Sequence, residues 1–501
     1  MTIRRAVLAA LAAASTLPAG AQAFSYGVTA AEVTPHGALL WTRADAAGPV
    51  TLRVGGHTFA LGASDATDLT VQRRVTGLRA GTAYRYVFTQ GAQRAAGHFR
   101  TAPAPARSAP ISFALTGDAD ALGNYNAFQV YDRMAREGND FNVNLGDTIY
   151  SDSEVPGATP ALTVSDKWAK YRANLAEANL EKVRAATSMY NHWDDHEFIN
   201  DYSRDEFGST IYDAGVEAFR DYMPVTYSAA NGIYRSFRWG RNLEVFFLDE
   251  RSFRSAKASA NHACDNPDTG APDLVPTLPQ QTRDLFARIE PSLQQPPPAS
   301  CFAALDDPNR TMLGAAQYAR FTDAIRRSKA TWKVVVNEVP IMQLYALPYD
   351  RWEGYAAERT KLLGFLRANV RNVVFLTTDH HADLVGTAAG MHEFVTGPVA
   401  TRTFAKEIDD ELGRPGSASL VAGAFFKPPP PNGLGLKCAA LDSYSYAQVK
   451  VTATRLRVAL KDLNGRTVKD SDGRNCGPYV LKARSSAPRR DPRAAPRARH
   501  G

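Results

Sequence analysis

"DFNVNLGDTIY", residues 140–150, decides the fold. It opens as an apolar run of strand length and stops at Gly146-Asp147, three residues before Tyr150. The same design appears upstream in "ISFALTGD" (111–118). Apolar runs end in polar clusters again in "NLEVFFLDER" (242–251), "ATWKVVVNEVP" (330–340) and "RNVVFLTTDHHADL" (371–384). Between them "KWAKYRANLAEANLEKVRAAT" (167–187) has helical period. Strands alternating with helices predict an α/β sheet enzyme over 110–482, with ligands at the carboxyl ends of the strands.

Outward from this core the pattern changes. Residues 24–103 read as short alternating strands ("FSYGVTAAEV", "GALLWTRAD", "VTLRV", "LTVQRRVTGL", "TAYRYVFTQ", "AAGHFRTAP") with turns at Gly48-Pro49, Gly55-Gly56 and Gly81. That spacing predicts a β-sandwich of fibronectin or immunoglobulin type, a packing partner or spacer. The Pro-rich joint "APAPARSAP" (102–110) marks the boundary. Residues 255–311 break the strand–helix rhythm and read as a surface insertion; four prolines at 428–431 form a second loop.

The ends and the charge restrict function. Arg4 and Arg5, an apolar run and Ala21-Gln22-Ala23 have the parts of a signal peptide over 1–23, for the general secretory or the twin-arginine route. Periplasmic or secreted location is the resulting expectation, with no integral membrane segment. The net charge is +7, but the two leader arginines and a Pro/Arg-rich tail, read as disordered over 483–501, account for it. The folded body is near neutral and lacks an aromatic-basic platform, which argues against nucleic acid. Cys264, Cys301, Cys438 and Cys476 predict two disulfides; sequence adjacency favours 264–301 with 438–476 among three possible pairings.

Six polar clusters fall near strand ends: Asp118 in "TGDAD", Asp147 and Tyr150 in "LGDTIY", Asp194, Asp195 and His196 in "WDDHEF", Asp249 and Arg251 in "LDER", Asn337 in "VVVNEVP", and Asp379, His380 and His381 in "TTDHHAD". A single Gly-Asp after a strand is most often a turn or a cap. Repetition at every such junction is not explained by capping. Oxygen ligands with one or two imidazoles at convergent strand ends suit a two-metal hydrolytic site.

In this order, "LGDTIY", "WDDHEF", "FLDERSFR", "MLGAAQYARF…SKATWKVVVNEVP" and "LTTDHHADL" resemble the PhoD-like alkaline phosphatases and phosphodiesterases of the metallophosphoesterase superfamily. The resemblance implies an α/β/β/α sandwich behind the N-terminal β-sandwich. It implies metal ligands at Asp118, Asp147, Tyr150, Asp195, Asn337, Asp379 and His381, with Asp147 bridging two ions and Tyr150 the tyrosinate on ferric iron. Asp379 is a ligand or an orienter of His381, and Asp194 orients His196 or its loop. His196 is the acid or hydrogen-bond donor beside the phosphate. Arg251 is expected to assist the chemistry, and Arg251 with Arg254 either clamp phosphate oxygens or form structural ion pairs. Within "WDDHEF", Trp193 packs beneath the loop and Glu197 braces it; His192, just before, is structural. The family's cysteine at the first strand end is replaced here by Asp118, a harder ligand, with Asp120 either a further ligand or a neighbour.

Fe3+ with Ca2+ is the expected pair, other divalent metals being alternatives. The expected function is an exported alkaline phosphatase D-like phosphohydrolase that cleaves phosphate mono- or diesters through a metal-activated hydroxide. A phospholipase D-type phosphodiesterase acting on lipid or wall-polymer headgroups is the alternative within hydrolases. A non-catalytic, metal-stabilised surface-binding protein is the alternative outside them.

Overall fold

The computed structural model describes residues 24–484 except 124, 289 and 431; the leader and the tail beyond 484 lie outside the described residues. The N-terminal segment folds into β1 (Val28–Thr34), β2 (Gly37–Arg43), β3 (Gly48–Val54), β4 (His57–Ala63), β5 (Thr70–Val75), β6 (Ala83–Gln90) and β7 (Gln93–Arg100). The next strands are β8 (Ile111–Thr116), β9 (Phe141–Leu145), β10 (Ser188–His192), β11 (Arg235–Trp239), β12 (Leu243–Phe247), β13 (Trp332–Asn337) and β14 (Val373–Thr377). The last are β15 (Asp383–Ala388), β16 (Met391–Val395), β17 (Cys438–Ala440), β18 (Ser445–Val451), β19 (Arg455–Asp462) and β20 (Tyr479–Lys482).

Two large sheets face each other. One runs β20-β19-β18-β8-β9-β10-β1-β2-β5 and the other β11-β12-β13-β14-β16-β15-β17. β8, β9 and β10 are mutually parallel, as are β12, β13 and β14. Both faces of these strands are covered, and β8, β12, β13 and β14 are mostly apolar, whereas β9 (FNVNL) and β10 (SMYNH) bury Asn142, Asn144, Asn191 and His192 among their apolar residues. The two-residue period divides them between layers. Phe113, Leu115 and Val143 share one core with Val334, Val336 and Leu376 of the opposite sheet. Val335 and Phe375 turn the other way, onto Phe321 and Ile325 of helix Gly314–Arg327 and Leu362 and Leu366 of helix Ala356–Asn369. Ala114 packs outward with Val130 of helix Gln129–Arg136, Tyr171 of Val164–Leu175 and Phe219 of Ser209–Tyr222. The result is an α/β/β/α sandwich. Phe141 ties its middle, 4.7 Å from the Phe113 ring and 4.6 Å from Trp239 across the gap. Phe141→Ala should cost ~3–5 kcal/mol.

The N-terminal strands form two sheets. β4-β3-β6-β7 is separate, whereas β1, β2 and β5 extend the nine-stranded sheet because β1 lies parallel to β10 at Ala30 and Ser188. β4 carried only a weak signal in the sequence: in "HTFALGA" Phe59, Leu61 and Ala63 alternate toward the core, but the strand is at a sheet edge and its intervening positions are the small or polar Thr58, Ala60 and Gly62. The Pro-rich joint is stitched down rather than free. Gly240 N donates to Pro103 O (3.2 Å), Arg241 N to Arg107 O (2.8 Å) and Ser108 Oγ to Asn242 Oδ1 (3.0 Å).

The helical period over 167–187 resolves into two helices, Val164–Leu175 and Ala178–Ala186, separated at Glu177, where ψ is 114°. The disulfides are Cys264–Cys301 and Cys438–Cys476. Cys264 and Cys301 pack with Leu305 of the insertion against Tyr349. Among the described residues no helix is long and apolar enough to cross a membrane.

Candidate metal centre

The parallel strands deliver their loops to one end of the sandwich, and the backbone there is strained. Asp118, Asp147, Asp379 and His381 adopt left-handed conformations, with φ of 61°, 48°, 66° and 49°. Non-glycine residues hold such angles only where their surroundings enforce them. Hydrogen bonds between loops do so: Ala119 N to Asp147 O (2.9 Å), Gly146 N to His192 O (3.1 Å) and Thr378 Oγ1 to Leu145 O (2.9 Å). Gly146 allows the close approach. Its φ is 70°, and a Cβ there would lie 2.6 Å from Asp194 Cβ.

Three groups of side chains converge: Asp118, Asp147 and His381; Asp147, Asp195 and His196; Asp194, Asp195 and Asp379. Within each, potential ligand atoms lie within 4.8 Å of one another. Asp147 belongs to the first two groups and Asp195 to the last two. The Tyr150 hydroxyl is 3.0 Å from His381 Nε2, and its ring centroid is 4.2 Å from that of His196. Asn337 is buried with neither side-chain polar atom hydrogen-bonded, and Asp118 Oδ2, Asp194 Oδ2 and Asp195 Oδ1 are buried without a hydrogen bond too.

Burial lifts the Asp118 carboxyl to about 7. Burial and then neighbouring carboxylates lift Asp147, Asp194 and Asp379 well above the ordinary range. Orphaned oxygens with excess negative charge are the mark of a site completed by cations. The donor set, oxygens with two imidazoles, fits metal ions.

Supporting residues fix these side chains. Glu197 accepts from Thr148 N and Oγ1 (2.6 Å each), Asp194 N (2.8 Å) and Asp147 N (3.2 Å), bracing two loops at once. Trp193 is fully buried and donates Nε1 to Asp249 Oδ1 (3.3 Å). Asp249 is spent on this bond and on Ile233 N, Ser252 and Arg251 N, so it belongs to the scaffold. His192 is likewise buried beneath, between Leu248 O and Arg235. Asp120 accepts from Ser153 Oγ (2.5 Å) and Leu122 N (2.9 Å), as a loop brace.

Asp194 pairs with Arg251 Nε at 2.5 Å. Arg251 is completely buried: Nη1 reaches Asp350 at 2.8 Å, and Nη2 stands 3.7 Å from both Asp195 and Asp379. Arg254 is one step further back, on Asp350 (2.8 Å) and the Tyr355 hydroxyl (3.0 Å).

Three partners carried no sequence signal strong enough to find them. Asp152 holds His196 Nδ1 at 2.6 Å, Glu407 holds His381 Nδ1 at 2.5 Å, and Asp350 joins the two arginines. Asp152 is only two residues past Tyr150, but a single loop aspartate has no pattern to mark it; Glu407 lies on a distant helix, Phe404–Glu411. Burial opposes charge on His196, but Asp147, Asp195 and Asp152 outweigh it and hold the imidazole well above its usual value.

Comparison with known proteins agrees with this arrangement. Alkaline phosphatase D of Bacillus subtilis (strain 168) is 26% identical over 342 residues, 61% of this chain and 52% of that protein, so the chain spans about half the length of the curated relative it matches. A solved structure of PhoD is 20% identical, with 93% of each chain covered and a TM-score of 0.70. Purple acid phosphatase PPD1 from yellow lupin (Lupinus luteus) seeds shares the fold at a TM-score of 0.54 and 11% identity, over 91% of this chain and 74% of that one. Residues 10–103 match the N-terminal domain model of the PhoD-like phosphatases and residues 120–460 match the PhoD-like phosphatase model itself, and on that extent the chain belongs to the PhoD-like phosphatase family.

Proposed function

We propose that this chain is an exported, metal-dependent phosphohydrolase acting on phosphate mono- or diesters. The observation that carries the reading is Asp147, one carboxylate grouped with Asp118 and His381 on one side and with Asp195 on the other, as a bridging ligand must be. Asp118, Asp147, Tyr150 and His381 would hold Fe3+; Asp195, Asn337 and Asp379, with Asp147 shared, would hold Ca2+. When bound, the ions supply Lewis acidity and a lowered water pKa.

The chain's own residues do the rest. His196, charged by its three carboxylate neighbours, gives a proton or hydrogen bond to the ester oxygens. Asp152 commits Nδ1, which leaves Nε2 for substrate. Glu407 orients His381 in the same way. Arg251 places fixed positive charge against the carboxylates and the developing charge near them, while Arg254 keeps Asp350 in place for it. Export is supported by the two disulfides, which persist in oxidising compartments.

The test is metal content together with hydrolysis of p-nitrophenyl phosphate and its bis-ester, in the wild-type protein and in Asp147→Ala. Loss of both metals and of turnover in the variant is expected. Retained activity would sink the bridging assignment. Turnover confined to lipid or wall-polymer headgroups would move the substrate to those diesters, and bound metal without turnover on any ester would leave a surface-binding protein.

A further inference from the structure

Helix Val164–Leu175 buries polar side chains on the face where helices ordinarily bury apolar ones. Lys167 is fully buried, with Nζ donating to Ser151 Oγ (2.7 Å) and Phe198 O (2.9 Å). Asn174, two turns on along the same face, is also buried. Its Nδ2 donates to Ala119 O (2.6 Å) and Thr148 O (2.8 Å), and its Oδ1 accepts from Ala121 N (3.1 Å).

These five partners belong to three loops: the one carrying Asp118, the one carrying Asp147 and Tyr150, and the one carrying Asp195 and His196. The helix itself is fixed independently. Thr163 and Asp166 form a capping box at its start, and Trp168 Nε1 donates to Asp221 Oδ2 (3.0 Å) on helix Ser209–Tyr222. Burying an ammonium group is unfavourable unless it is hydrogen-bonded, and two of the three N–H groups of Lys167 are. Here the bonds are made to main-chain and hydroxyl oxygens of the loops and to no carboxylate, so Lys167 acts on where the loops sit.

We propose that Lys167 and Asn174 are positioning residues, a two-point brace that sets the spacing between the three loops whose side chains form the site. The proposal rests on the metal-site reading above. It assigns the spacing of ligands from separate strands to a helix that contributes no ligand.

The experiment compares wild type, Lys167→Met, Lys167→Arg and Asn174→Leu, each loaded with Co2+ alone, by visible spectrum and by kcat and KM on p-nitrophenyl phosphate. Lys167→Met keeps the apolar stem and removes the ammonium. The brace predicts a shifted Co2+ spectrum and a kcat at least tenfold lower with KM within twofold, in both Lys167→Met and Asn174→Leu, and substantial recovery in Lys167→Arg. A wild-type spectrum and kcat in both folded variants overturns it. If Lys167→Met does not fold, Asn174→Ser takes its place under the same two outcomes. A wild-type protein that neither binds Co2+ nor turns over substrate overturns the metal-site reading instead.

Discussion

The Tyr150 hydroxyl lies 3.0 Å from His381 Nε2, although the two residues come after strands of different sheets, β9 and β14. Burial, with Asp147 and Asp118 adding to it, pushes the phenol well above its usual value, so a cation is needed to ionise it. Tyr150→Phe should therefore abolish a visible charge-transfer band that appears in the wild type only on Fe3+ loading, and lower kcat ~10–100-fold. Absorption spectra of the two iron-loaded proteins check this.

His196→Ala should keep its metals and lose ~10²–10⁴ in rate. Asp152→Asn separates charge from geometry. The Asp152 carboxylate helps to raise His196, so neutralising it lowers the imidazole pKa and depletes the protonated form at a lower pH. The alkaline limb of the kcat profile is expected to move toward acid, and a pH–rate series on the variant measures it.

Lys167 is pushed down to about 8 by burial, from 10.5 in the unfolded chain. Between these values the unfolded state binds more protons, so this group makes stability rise with pH across that window and contributes nothing further above 10.5. The full increment is at most ~3 kcal/mol. Denaturant unfolding at pH 7.5 and pH 10 should show it in the wild type and show it missing from Lys167→Met.

The two disulfides close loops of similar length, with separations of 37 and 38 residues, and each should stabilise the fold by ~3–4 kcal/mol. Their effects on activity should differ. Cys264–Cys301 packs on Tyr349, whose neighbour Asp350 anchors Arg251 and Arg254. Replacing that pair by serine should reduce kcat at temperatures where the protein is still folded. The same change at Cys438–Cys476 should lower only the melting temperature. Activity assays alongside thermal melts decide between them.

Much of the strand-end constellation was legible because covered parallel strands announce themselves as apolar runs, and the residues just past each run must lie at the sheet's carboxyl end. Asp118, Asp147, Asp379 and His381 were found that way, whereas Asp195 and His196 follow β10, whose SMYNH is no apolar run, and stood out by the density of acidic and imidazole side chains in WDDHEF. Glu407 and Asp350 were not legible, since each lies about a dozen residues past the end of its strand, β16 or β13, and only packing brings it back to the site. Lys167 was hidden differently: within a helical pattern a lysine reads as solvent-facing, and its burial depends on loops distant in sequence. The merging of β1 with β10 was equally invisible, because pairing between strands leaves no mark on the periodicity of either.

That pairing has a practical consequence for protein engineering. Deleting everything up to residue 103 would take β1, β2 and β5 away and expose the flank of β10, the strand that runs directly into the WDDHEF loop. A bare strand with unsatisfied amide and carbonyl groups recruits foreign strands. The shortened protein should therefore precipitate or self-associate rather than persist as a minimal catalyst. Trp41, which donates to Asp221 O at 2.6 Å, would be removed with it. The first hundred residues cannot be exchanged like a cartridge; a chimera with a new N-terminal segment would have to supply a replacement for β1 in register.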